Sequence, residues 1–174
     1  MSLVAVNEKK VHKITDRVYV AFGGLHTDCL TVLNRIKFRA NLYELRENRS
    51  LKPKVLTQII SNLLYEHRFG PYFIGPMVAG LDPVTFKPYL SGTDLIGAPC
   101  TPQDFVCEGV ALEQMLGVCE AYWKPDMSAE ETFEATAQAL LAALELSAKS
   151  GWGAVIYTIT KDKVNVKTIK TRMD

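Results

Sequence analysis

The chain has little of what most active sites are built from. Its 174 residues include three histidines, four cysteines and two tryptophans, and 20 Lys and Arg face 19 Asp and Glu. A formal net charge of +1 provides no global field to gather nucleic acid or an anionic membrane. Four cysteines (Cys29, Cys100, Cys107, Cys119) make no disulfide framework at this length, and no pair has CxxC spacing. Only His12, His26 and His67 could join them, so no zinc site is expected. They read instead as small, buried or partly buried thiols of a reducing compartment. No apolar stretch approaches membrane-spanning length, and MSLVAVNEKKVHK holds too short an apolar run for a signal peptide. GxSxG, Walker, HExxH and GxGxxG motifs are all missing. The expectation is a cytosolic or nuclear protein with no cofactor, no metal, and neither nucleic acid nor membrane as partner.

The composition that remains is an ordinary globular one. Hydrophobic residues make up 48% of the chain. At this length about 70% of the unfolded surface can be buried, and one domain over 1–174 is expected. Repeats, low-complexity tracts and linkers are lacking.

Leu3–Val6 reads as a short strand, and Arg17–Gly23 (RVYVAFG) as a β-branched, aromatic one stopped by Gly23-Gly24. Thr27-Asp28 then offers N-capping residues to a helix reaching Leu45, with Leu30, Leu33, Ile36 and Ala40 at helical spacing. Its polar side mixes Arg35, Lys37, Arg39, Glu44 and Arg46, and reads as a solvated face more readily than as a subunit contact. Ser50 is a candidate cap for a second helix, with Pro53 in its first turn and Val55, Leu56, Ile59, Ile60, Leu63 and Leu64 as its apolar stripe. Gly70-Pro71 stops it. Tyr72–Ala79 and Lys87–Gly92 read as paired strands around a turn at Leu81–Thr85. Asp104–Glu108 reads as a third.

Leu112–Trp123 is helical and is broken at Pro125. Ser128 and Glu131 form a capping box for a helix bearing Phe133, Ala137, Leu140, Leu141 and Leu144. Ala154–Thr160 and Val164–Lys170 close the chain as strands around Lys161-Asp162-Lys163. Helices in pairs and strands in runs predict an α+β fold with mostly antiparallel sheet, and suggest four layers with sheets face to face and helices outside.

Three local clusters invite chemistry and yield little. His26 and Cys29 share a helix start, but no third residue orients them, and a core thiol is the better reading. Glu66-His67-Arg68 complements a helix C-terminus. Gly151-Trp152-Gly153 is too short to cradle a phosphate and suits a tight helix-to-strand connection.

The span Leu63–Ala98 (LLYEHRFGPYFIGPMVAGLDPVTFKPYLSGTDLIGA) carries wording that folding alone does not demand. With Lys37–Arg39, Tyr43–Leu45, Glu113–Met115 and Thr171–Asp174, it resembles the β-type subunits of the proteasome, in particular their non-catalytic type-3 branch. The likeness runs from about Lys13 to Asp174. It implies the four-layer αββα sandwich of N-terminal nucleophile hydrolases. It also implies partners: two β-ring neighbours, an α-ring subunit and the opposite β ring.

Catalytic members of that family use an N-terminal threonine as both nucleophile and base, helped by a Lys-Ile pair, an aspartate and a Ser-Gly. Lys13-Ile14 and Ser150-Gly151 match two of these vestigially. Ser147 stands where the aspartate is expected, and Gly109-Val110-Ala111 replaces a Gly-Ser-Gly turn. Only twelve residues precede Lys13, too few for the two strands expected upstream. The resemblance thus implies a chain lacking the first two strands, with no catalytic residue, unless a longer form carries the threonine and is an active peptidase. Met1–Val6 or neighbouring subunits would fill the gap. A positive role is also implied: Asp94–Ala98 would face an adjacent active subunit. Asp94 would lend a carboxylate to its substrate pocket and Ala98 a wall. On the residues alone, Asp94 is a turn carboxylate. A stand-alone ligand-binding α+β domain is the reading from a different class.

Overall fold

The computed structural model describes Ala5 and residues 7–173. These form two compact units, residues 11–109 and a second built mainly from 110–174.

The first unit is an antiparallel sheet under a helix pair. Strands β1 (Val11–Thr15), β2 (Val18–Gly24), β3 (Ile74–Leu81), β4 (Pro88–Thr93) and β5 (Pro99–Cys100) lie in sequence order, each antiparallel to the next. Side chains alternate across a strand, so Val18, Val20 and Phe22 share one face with their β3 neighbours Ile74 and Val78. Helices α1 (His26–Glu47) and α2 (Pro53–Tyr65) cover that face. They bring Val32, Leu33, Ile36 and Ala40, then Leu56, Ile60, Leu63 and Leu64, into one dry cluster. Each fully buried aliphatic side chain contributes about 1.5–3 kcal/mol. The other face carries glycines. Residues 106–109 run across it: Val106 lies over Gly92, and Glu108 over Gly75 and Gly23, so closely that a Cβ at Gly75 would strike the carboxylate.

The second unit pairs β6 (Ala154–Ile159) with β7 (Val164–Ile169) and packs α4 (Ala129–Glu145) on α3 (Leu112–Tyr122) and on β6. The capping box forms as expected: Ser128 Oγ accepts from Glu131 N, and Glu131 returns a carboxylate oxygen to Ser128 N. Among the described residues its buried apolar side chains are small but for one: Ala137, Ala139, Ala143 and Ala154, with Ile156.

Several expectations are corrected. The expected strand Asp104–Glu108 is an irregular segment, because it crosses the sheet instead of joining its edge; Pro99–Cys100 takes the edge place. Strand β1 was not expected, since Lys13 and His12 break its apolar alternation. Thr27-Asp28 does not cap α1, whose cap position is Leu25 and has no side-chain cap; Asp28 accepts instead from Phe73 N at 3.0 Å. Ser50 does not cap α2, whose cap position is Lys52. Leu30, placed in the buried stripe, is exposed. Cys100 is exposed too, while Cys29, Cys107 and Cys119 are half-buried. The expected strand Leu3–Val6 lies almost wholly outside the described residues.

Candidate functional site: the Asp94–Ala98 turn and its groove

The turn between β4 and β5 is built by one carboxylate. Asp94 Oδ1 accepts from Ile96 N at 3.1 Å and Ala98 N at 2.7 Å. Two backbone bonds close the same loop, Gly97 N to Asp94 O and Asp94 N to Ala98 O. Asp94 is thus a turn residue by geometry, as the residues alone imply, and its side chain is exposed. Its Oδ2 makes no hydrogen bond to any described residue.

Gly97 sits at φ +90° and presses on α2: a Cβ there would collide with the carbonyl oxygen of Ser61. A side chain at this position meets both backbone strain and a collision. Ser61 Oγ donates to Gly97 O at 2.6 Å. Between turn and helix runs an open groove of about 380 Å³, lined by Ser61, Asn62, Tyr65, Glu66, Ile96, Gly97 and Ala98. Glu66 at its end is held by Arg39 Nη2, 2.9 Å from both carboxylate oxygens, and that bond keeps its carboxyl below the usual range. Ala98, exposed, forms the groove's outer wall.

Asp94 and Ala98 therefore share one rigid turn. Lys13 lies elsewhere in the first unit, on β1, with Nζ 2.7 Å from Asp16 Oδ1 at the end of the β1–β2 hairpin. The Asp16 hydrogen bond and charge raise the lysine and lower the aspartate, so both stay ionised. Ser150 and Gly151 belong to the second unit, in the connection from α4 to β6. Trp152 (φ +64°) and Gly153 (φ +140°) bend that connection. Gly153 lies so near β7 that a Cβ would be 3.3 Å from Ile169 O, the tight connection expected of this segment. Ser150 is exposed.

Cys29, beside His26 at the start of α1, is not an activated nucleophile. Burial, and then the neighbouring Asp28 charge, push the Cys29 thiol up, the opposite of activation. His67 belongs to a different cluster: its Nε2 lies 3.4 Å from both Arg35 Nη1 and Tyr72 Oη. Among the described residues no group of His, Cys, Asp and Glu is placed to hold a metal, and no helix is long and apolar enough to cross a membrane. Sequence reasoning missed Ser61 and the Gly97 contact. A serine in the middle of an amphipathic helix gives no sign of what it bonds, whereas Gly97 after a possible turn carboxylate was a readable signal.

A family profile described as proteasome subunit matches residues 1–159. The chain belongs to the proteasome subunit family. Relatives named proteasome subunit beta type-3 are 59% identical over the whole chain in Caenorhabditis elegans and 51% over 98% of it in Drosophila melanogaster. In Saccharomyces cerevisiae such a relative is 44% identical over 90%. The chain spans 85%, 83% and 77% of those three proteins. This agrees with the resemblance carried by Leu63–Ala98. The α+β class with antiparallel sheets stands with it.

Proposed function

We propose that this chain is a non-catalytic β-ring subunit of the 20S proteasome, acting in ubiquitin-dependent protein degradation in the cytoplasm and nucleus. The observation that carries this is the whole-length similarity to type-3 β subunits. In this reading the two units form one four-layer αββα domain over 1–174. Its partners are two β-ring neighbours, an α-ring subunit and the opposite β ring.

The surface supports assembly. Helix α1 buries Val32, Leu33, Ile36 and Ala40 on one face, exposes Leu30 at the edge of that face, and exposes Phe38 and Leu45 on the opposite one. Phe38 and Leu45 are 68% and 81% exposed, and Phe69 is 99% exposed. Large apolar side chains in such number on one subunit suit contact with other chains. The side of α1 read as solvated by its charges thus carries an apolar stripe as well.

The residues also support a non-catalytic role. Lys13 is engaged by Asp16. The Ser147 hydroxyl, in place of the family's orienting aspartate, accepts from Lys149 N. Ser150 and Gly151 serve a backbone turn. What this chain gives to catalysis is the Asp94–Ala98 turn: Asp94 Oδ2 would face a basic substrate side chain in the adjacent subunit's pocket, and Ala98 would form part of its wall.

Native mass spectrometry of the endogenous protein tests the assignment. The chain is expected within the ring particle, alongside α and β subunits. Recovery only outside such a particle overturns the reading, and an N-terminal threonine exposed by propeptide cleavage overturns the non-catalytic part.

A further inference from the structure

Hydroxyls on the helices of this chain mostly turn back on their own backbone. Thr31, Thr57, Thr132 and Thr136 each donate to the carbonyl four residues earlier. Ser61 does not. Its hydroxyl leaves α2 and donates to Gly97 O at 2.6 Å. Among the described residues it is the one side chain outside the Asp94–Ala98 turn that hydrogen-bonds to it. Its own place is fixed, because Ile60, Leu63 and Leu64 beside it are fully buried. Gly97, lacking a Cβ, lets the turn settle directly on the Ser61 backbone. The turn therefore has two levels of restraint. Asp94 Oδ1 holds its shape from inside, and Ser61 holds its position on the helix.

We infer that Ser61 is a positioning residue for the neighbouring subunit's substrate pocket, setting through Gly97 where the Asp94 carboxylate and Ala98 stand. The inference rests on the reading of Asp94 as a pocket carboxylate. A charge–charge attraction falls with distance, so a turn released from α2 would present Asp94 less well to a basic side chain. It would leave other substrates as they are.

The test uses assembled particles carrying Ser61→Ala, Ser61→Thr or Asp94→Asn. KM and kcat are measured on fluorogenic peptides with a basic, an apolar or an acidic residue before the cleaved bond. Alanine is the stronger helix former, so α2 survives its introduction. Asparagine keeps an oxygen for the Ile96 and Ala98 amides and removes only the charge. Ser61→Ala is expected to raise KM for the basic peptide roughly threefold to tenfold, the factor of one lost neutral hydrogen bond. Its kcat and the other two peptides should not change, and Ser61→Thr should restore the wild-type value. Asp94→Asn should raise the same KM at least as much. If Asp94→Asn acts and Ser61→Ala does not, the positioning role is overturned and the pocket reading stands. If Asp94→Asn has no effect, the pocket reading falls and takes the inference with it. Equal losses on all three peptides, or failure of Ser61→Ala to enter the particle, would make Ser61 a scaffold residue and overturn the inference.

Discussion

Asp82 shows how this chain uses its carboxylates. Its Oδ1 accepts from Val84 N and Thr85 N, both at 2.9 Å, and Lys52 Nζ lies 3.4 Å from Oδ2. Asp28, Asp94 and Asp104 likewise take backbone amides. The Thr85 and Val84 bonds, then Lys52, hold the Asp82 carboxyl down at about 2, against an ordinary 3.8. A folded-state pKa below the unfolded one means that the ionised form favours folding. That contribution is present above about pH 4 and is lost as pH falls through about 2. Asp82→Asn keeps the acceptor and removes the titration. Its denaturation midpoint should therefore fall less steeply than wild type between pH 4 and 2, in parallel titrations of the purified chain. Identical acid slopes would exclude Asp82 as a source of acid sensitivity.

At the scale of elements, α1 and α2 differ in kind. Helix α2 is anchored on one face, so Ile60→Ala leaves a hole in the packed cluster and should cost about 2–5 kcal/mol. Leu45→Ala, at an exposed position of α1, should change the isolated chain's stability by less than about 0.5 kcal/mol. Denaturant unfolding of both variants checks the contrast, and equal losses would contradict the burial pattern. The apolar stripe of α2 was legible because Val55, Leu56, Ile59, Ile60, Leu63 and Leu64 keep one period, and the capping box at Ser128 because both partners lie within four residues. The second stripe of α1 was not. Phe38 and Leu45, seven residues apart, also keep a helical period, and periodicity does not say which of two faces meets the core. The segment 104–108 misled for a related reason. Its β-branched and aromatic content suits any buried extended segment, and only the glycines of β2, β3 and β4, far off in sequence, make room for it to cross. The candidate turn was legible at Asp94 and Ala98, through local chemistry and the family likeness. Its tie to Ser61 joins residues 36 apart, and no local pattern reports such a contact.

The whole molecule divides its core unequally. The buried cluster of large aliphatic side chains lies within residues 11–109. Among the described residues the second unit buries four alanines and one isoleucine as apolar core, and α3 has no buried residue. So small a core is marginal for a free-standing unit of that length. If residues 1–174 form one domain, the second unit should have no separate melting of its own. The two tryptophans give a selective probe, because Trp123 and Trp152 both lie in the second unit while α1 and α2 dominate the helical signal of the first. Under increasing denaturant, tryptophan fluorescence and far-ultraviolet circular dichroism should follow one coincident transition. A fluorescence change that is complete while half the helical signal remains would show residues 110–174 unfolding alone. The chain would then be two stability units under one family profile.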